Sequence, residues 1–282
     1  MQVFSSLHSL LDTLEVSFYL SLRYLLFAGS LFLFFYVWKK RKYWYLKIQQ
    51  QFPGKEYILR EAKYSFLTII IFGIVVIEIM WASKNRLTLV YYPINKYGYF
   101  YYFFSMILMV FIHDAYFYWT HRLLHWKPLF KWAHKIHHFS HNPTPFSAYA
   151  FHPFEALVEI GIVPILVFTI PYHVTALYFF TGYTLVLNVG GHMGFEFFPK
   201  GFATHKWFKW HNTATHHNMH HRFVKYNYGL YFNFWDRLMG TNHPKYEETF
   251  NDVVEQRERV KAANAAEDAL DKPAETSLNK WP

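Results

Sequence analysis

The sequence predicts an all-α, multi-pass membrane protein of about three spans plus a helical hairpin. Of its 282 residues, 53% are hydrophobic and 23% aromatic, yet the formal net charge is +9. Mean hydropathy is close to zero, which is high for so basic a chain and fits apolar spans joined by basic loops. Long apolar stretches supply the spans, and the placement of Lys and Arg supplies their orientation.

Residues 16–38, 64–82 and 97–119 are each long enough for a helix to cross the ~30 Å hydrocarbon layer. Residues 1–15 carry Asp12 and Glu15 with no basic region ahead of an apolar core, so they are expected to form an amphipathic lead-in and not a secretory signal. Two shorter apolar segments, 154–170 and 173–189, flank Pro171, which cannot continue a helix. Their length allows either a full crossing or a tilted hairpin that dips into the bilayer. Both versions return the chain to the same side.

Lys and Arg number eight over 39–63, three over 82–98, four over 114–153 and twelve over 192–282. Alternating crossings put 24 of them on one side against three on the other, so the side with 24 is expected to be cytosolic. That setting accounts for the basic charge without nucleic acid as a partner. Residues 16–250 read as one membrane domain. Residues 251–282 shift to Glu, Asp, Ala and Lys and read as a polar tail, helical over 252–270 and disordered beyond.

Cysteine is absent, which excludes disulfides, iron–sulfur clusters, thiolate zinc sites and cysteine nucleophiles together. Histidine numbers 18, and its placement is informative. His121-Arg-Leu-Leu-His125 puts two imidazoles on one face of a helix continuing the third span. His134-Lys-Ile-His137-His138 and His217-Asn-Met-His220-His221 share the form H-x-x-H-H, and each is expected to direct three imidazoles to a common centre. Eight imidazoles exceed what a mononuclear zinc site uses and suit two ions. His192, after Gly190 and Gly191, is a candidate ninth ligand. Asp114 precedes His121 by seven residues, which places it to steer a ligand ring, and His216 is a second candidate to support the ligands. These clusters complete the expected fold, a cytosolic helical cap holding a histidine-rich dimetal site.

Any one of these histidines alone reads better as a surface or hydrogen-bonded core residue. Three spaced clusters on one membrane side reverse that balance. His8, His173, His205 and His243 lack such company and are read as structural. Glu78, within the second span, is read as paired with Arg23 or reaching for the boundary. Imidazole accepts zinc, copper, iron and nickel alike. Iron is selected by the chemistry that a histidine-rich pair beside lipid could perform, with zinc as the substitute occupant.

The three boxes, in this form and order, resemble the membrane-bound sterol desaturase and fatty acid hydroxylase superfamily over residues 114–241. Pro143-Thr-Pro-Phe146, Ala150-Phe-His-Pro153, Tyr226-Asn-Tyr-Gly229 and Phe234-Trp-Asp-Arg237 are most similar to the sterol C-5 desaturase branch. The resemblance implies metal ligands at His121, His125, His134, His137, His138, His192, His217, His220 and His221, with no catalytic residue separate from the metal site. It implies two iron ions, O2 as co-substrate, a membrane lipid as substrate and hydroxylation or desaturation of a sterol or fatty-acyl-type chain. No haem-binding domain precedes the first span, so a separate electron donor is expected, a cytochrome b-type protein, a ferredoxin or a reductase. The expected location is the endoplasmic reticulum in a eukaryote or the inner membrane in a bacterium. The rival readings are a metal transporter, which would place ligands within the spans, and a non-catalytic lipid- or metal-binding membrane protein. A metalloprotease is excluded by the absence of H-E-x-x-H. Phe146, Tyr149 and Phe151 are candidates to line a lipid entrance, against ordinary interfacial packing.

Overall fold

A computed structural model describes residues 2–270; the expected disorder of 271–282 lies outside the described residues. Four helices are long and apolar enough to cross a membrane, and the protein is an all-α membrane protein. The first, α1 (Gln2–Tyr24), continues through π-helical turns, so that its apolar stretch covers Leu10–Trp38. The expected lead-in is therefore an unbroken extension of the first span. The next is α2 (Lys55–Lys84), followed by the short strand β1 (Val90–Tyr91) and α3 (Gly98–Leu124). As expected, α3 extends beyond its apolar part to carry His121.

The hairpin is asymmetric. Its first limb is broken into α4 (Pro153–Ile160) and α5 (Ile162–Thr169), each eight residues, or only ~12 Å of helix. Pro164 removes a backbone donor, and a side chain at Gly161 would stand 2.7 Å from the hydroxyl of Tyr116. The second limb, after β2 (Tyr172–His173), is α6 (Val174–His192), which is the fourth helix of spanning length. Strands β1 and β2 pair in parallel, Val90 with Tyr172 and Tyr91 with His173. This pairing ties the α2–α3 connection to the hairpin reversal at the end of the bundle remote from the histidines.

Between the spans, Tyr102, Met109, Ile162, Leu166, Tyr172 and Phe180 form the main buried cluster. Spans α1 and α2 approach closely where Gly73 meets Ser17; a Cβ on Gly73 would lie 2.1 Å from the Ser17 hydroxyl oxygen. Small residues permit such contact in membranes, where packing and not water exclusion drives association. Beyond the spans lies a cap built from α7 (Ala214–Phe223) and α8 (Tyr246–Leu270). Helix α8 starts earlier than the sequence suggests, because Tyr246, Phe250 and Val254 form an apolar face that packs on Ala203 and Met219. Its beginning is thus part of the cap, and only the later turns are a solvated tail.

Gly73→Val should force α1 and α2 apart and destabilise the fold by ~1–3 kcal/mol, the usual penalty of overpacking. Thermal unfolding in detergent reads this as a lowered midpoint, whereas Gly182→Val, which has open space around it, should leave the midpoint nearly unchanged.

Candidate metal centre

All nine histidines singled out as ligands converge, but they divide into two groups in a way the sequence did not suggest. His121, His125, His134, His138 and His220 form one group, and His137, His192, His217 and His221 the other, with the ligating nitrogens of each group within 4.8 Å of one another. The expectation that each H-x-x-H-H box serves one centre is corrected. In both boxes the i and i+4 residues share a group while the i+3 residue joins the other. The helix explains this: i and i+4 differ by 40° around the axis, but i+3 and i+4 differ by 100°. Adjacent groups result, with His137 and His221 ring centroids 4.6 Å apart and those of His138 and His221 5.2 Å apart.

Local structure aims each ring. Thr213 caps α7 by accepting from the backbone of His216 at 3.1 Å, fixing where the third box begins. His121 Nδ1 donates to the carbonyl of Tyr228 at 2.8 Å, His220 Nδ1 to that of Tyr226 at 2.6 Å and His192 Nδ1 to that of Asn188 at 2.8 Å. Carbonyls only accept, so these three rings carry their proton on Nδ1 and present Nε2 as a bare lone pair. His134 Nδ1 meets Glu155 Oε1 at 2.6 Å, an arrangement that orients the ring.

The Nε2 atoms then face one another. Nε2 of His121 is 3.1 Å from Nε2 of His134, and Nε2 of His138 is 3.2 Å from that of His125. In the other group the Nε2 atoms of His192 and His217 are 2.9 Å apart, and those of His217 and His221 3.1 Å. His220 Nε2 is buried with no hydrogen-bond partner. His121 and His134 present lone pairs to each other with no proton between them if Glu155 accepts from His134. A cation removes that repulsion, so the donor set fits two metal ions.

Burial, reinforced by neighbouring imidazoles, holds His125, His134, His137, His138, His217, His220 and His221 well below the ordinary imidazole range. They are neutral, the form that binds metal.

The two supporting residues singled out from sequence sit elsewhere. Asp114 does not touch a ring; its Oδ1 accepts from the backbone of Tyr231 and Phe232 at 3.0 and 3.1 Å. Alignment on the helix face was correct, but the loop after α7 closes over Asp114 and takes its lone pairs. His216 lies behind the groups, with Nε2 3.7 Å from Asp236 Oδ2 and its ring 4.9 Å from that of Tyr246. Asp236 in turn accepts from the backbone of Tyr228 and Gly229, both at 2.8 Å. It thereby shapes the loop whose carbonyls hold His121 and His220. The motifs around 226–229 and 234–237 thus act through backbone positioning.

Sequence reasoning missed Glu155 as the carboxylate partner and Asn188 as a carbonyl partner. Glu155 had a signal, an acid in the first turn of a mainly apolar helix. Asn188 had only its place one turn before His192. His113 hydrogen-bonds the Tyr231 hydroxyl at 2.8 Å, and His152 caps α4 by accepting from Phe154 N at 3.2 Å.

A cavity of about 470 Å³ lies between the spans beneath the groups. At one end Phe117 packs on His121 and Phe151 on His137, with centroids 5.0 and 5.2 Å apart. At the other end it meets Val90, Tyr92 and Tyr172, beside the β1–β2 pairing. Tyr149 and Phe151 line it, where the sequence favours interfacial packing, whereas Phe146 packs on Phe32 of the first span at 5.0 Å. Arg23 does not pair with Glu78, which is exposed; its guanidinium donates to Thr181 Oγ1 at 3.0 Å.

The histidine pocket, its loop and its helices coincide with a known domain: residues 106–241 match the family model described as fatty acid hydroxylase. Over these residues the chain is similar to the sterol desaturase and fatty acid hydroxylase superfamily. Among particular relatives, it is 32% identical to human lathosterol oxidase, covering 66% of this chain and 62% of that protein. It is 36% identical to the rat lathosterol oxidase over 50% of this chain and 46% of that one. A Delta(7)-sterol 5(6)-desaturase of Gibberella zeae is 28% identical over 80% of this chain and 68% of its own length. The chain thus spans about half to two thirds of these relatives. No solved structure matches it.

Two outcomes are expected. Glu155→Ala should weaken metal retention ~10–100-fold, as loss of a ligand's hydrogen-bond partner commonly does, read by metal content after dialysis against a chelator series. The histidines also make stability pH-dependent. The unfolded chain protonates near the ordinary value of 6.5 while the buried rings resist, so below ~6.5 the unfolded state binds more protons and stability falls with pH. The unfolding midpoint of metal-free protein should be flat above about pH 7.5 and drop steeply by about pH 5.

Proposed function

We propose that the protein is a di-iron, O2-dependent oxidoreductase that hydroxylates or desaturates a sterol or fatty-acyl-type lipid within the membrane. The observation that carries this reading is the placement of two all-imidazole groups behind Phe117 and Phe151, which line one end of a mainly apolar cavity between the spans. His121, His125, His134, His138 and His220 would hold one ion, and His137, His192, His217 and His221 the other. Bound iron supplies the redox chemistry with O2 that attack on an unactivated C–H bond requires.

The chain's own residues bind, orient and exclude. The carbonyls of Tyr226, Tyr228 and Asn188, with Glu155, fix the tautomers and aim the rings. Phe117 and Phe151 stand between the imidazoles and the cavity, so a lipid carbon beside them is the one nearest the histidine groups. The relatives named as lathosterol oxidase and Delta(7)-sterol 5(6)-desaturase favour a sterol among the lipid classes. Electrons come from a separate carrier, a cytochrome b-type protein, a ferredoxin or a reductase. The excess of Lys and Arg on the histidine side supports a cytosolic site, at the endoplasmic reticulum in a eukaryote or the inner membrane in a bacterium.

Purified protein supplied with reductant, O2 and a Δ7 sterol or an acyl lipid should yield a hydroxylated or dehydrogenated product. His137→Ala should abolish turnover while leaving membrane insertion intact. Product formation without O2, or unchanged in His137→Ala, contradicts the assignment; failure of the wild type to convert any lipid class favours the non-catalytic reading.

A further inference from the structure

The cavity walls are mainly apolar, with Arg23, Lys84, His113, Thr184 and Asn188 among the polar residues that line them, and Glu159 lines them too. Glu159 is half-buried and borders the cavity. Among the described residues it has neither a hydrogen bond nor an ion pair. Arg23, which lines the same cavity, donates to Thr181 Oγ1 and makes no ion pair with Glu159. The hydroxyl of Tyr116, one residue type that could have reached it, donates to the carbonyl of Val158 at 2.6 Å. A carboxyl left without a partner in apolar surroundings costs several kcal/mol by ordinary transfer values, so its place in the wall calls for a ligand group.

The position of Glu159 says what that group is. On α4 it follows Glu155 by four residues, the same face one turn on, ~6 Å along the axis. Glu155 holds His134 at 2.6 Å. Glu159 therefore reaches the cavity within one or two helical turns of the imidazole groups and far from the β1–β2 end. A cavity of about 470 Å³ falls in the range that encloses one small lipid molecule, ~300–1,000 Å³.

We propose that Glu159 is a specificity-determining binding residue that hydrogen-bonds a hydroxyl carried by a rigid, sterol-type lipid, close to the carbon presented for reaction. A hydroxyl can both donate to a carboxylate and accept from a carboxylic acid, so it satisfies Glu159 in either state. A plain hydrocarbon satisfies neither and leaves the carboxyl unpaired, which is how a buried polar group rejects an analogue lacking its partner. The proposal rests on the lipid-oxidoreductase reading and deepens it.

The test titrates purified protein in nanodiscs with an intrinsically fluorescent sterol bearing one hydroxyl, then competes it with cholestanol or with cholestane, which lacks the hydroxyl. The wild type should prefer cholestanol by about tenfold or more. Glu159→Leu should bind the two equally, and Glu159→Gln, whose amide donates and accepts, should keep a preference. Metal content equal to the wild type's shows that each variant is folded. A wild type that does not discriminate, or a Glu159→Leu variant that still does, overturns the role of Glu159. Absence of any sterol binding overturns the sterol commitment. Discrimination through Glu159 without O2-dependent conversion would instead contradict the catalytic reading and leave this one standing.

Discussion

Which nitrogen of each imidazole carries its proton decides what the histidine pocket can be. Three backbone carbonyls accept from Nδ1 of His121, His192 and His220, and an acceptor without protons of its own leaves no choice of tautomer. Those three rings present bare Nε2 atoms within two groups of nine histidines, in surroundings that suppress protonation. Such a pocket is unfavourable alone and favourable around cations, which couples its assembly to metal in the way binding couples to folding elsewhere.

Much of the remaining structure serves that arrangement. Asp236 and Asp114 bind successive parts of one loop, residues 228–232, through its amide groups, and that loop with Tyr226 delivers two of the carbonyls. Helix α8 packs Tyr246, Phe250 and Val254 against the outer side of the third box. The hairpin contributes from within the membrane: its broken first limb carries Glu155 to His134, and its long second limb ends on His192. Residues on both sides of the break, Glu159, Ile160, Ile162 and Val163, line the cavity.

The fold class was legible because spans and basic loops leave strong marks on composition, and the ligand set because two H-x-x-H-H boxes and an H-x-x-x-H pair are rare patterns. Allocation between two centres was within reach of helical geometry, since His137 and His138 point 100° apart, but treating i, i+3 and i+4 as one face concealed it. Glu155 and Asp114 show a different limit. Both are acids on helices near the histidines, and only the path of distant chain segments decides that Glu155 meets a ring while Asp114 meets Tyr231 and Phe232. The carbonyl partners are beyond sequence reading altogether, because every residue has one.

Native mass spectrometry of the purified protein with metal retained, alongside His217→Ala and His220→Ala, tests the two-centre arrangement most directly. The structure predicts two ions per chain in the wild type and selective loss of one ion in each variant, from different groups. A single ion in the wild type, or retention of both ions when either histidine is replaced, would contradict it.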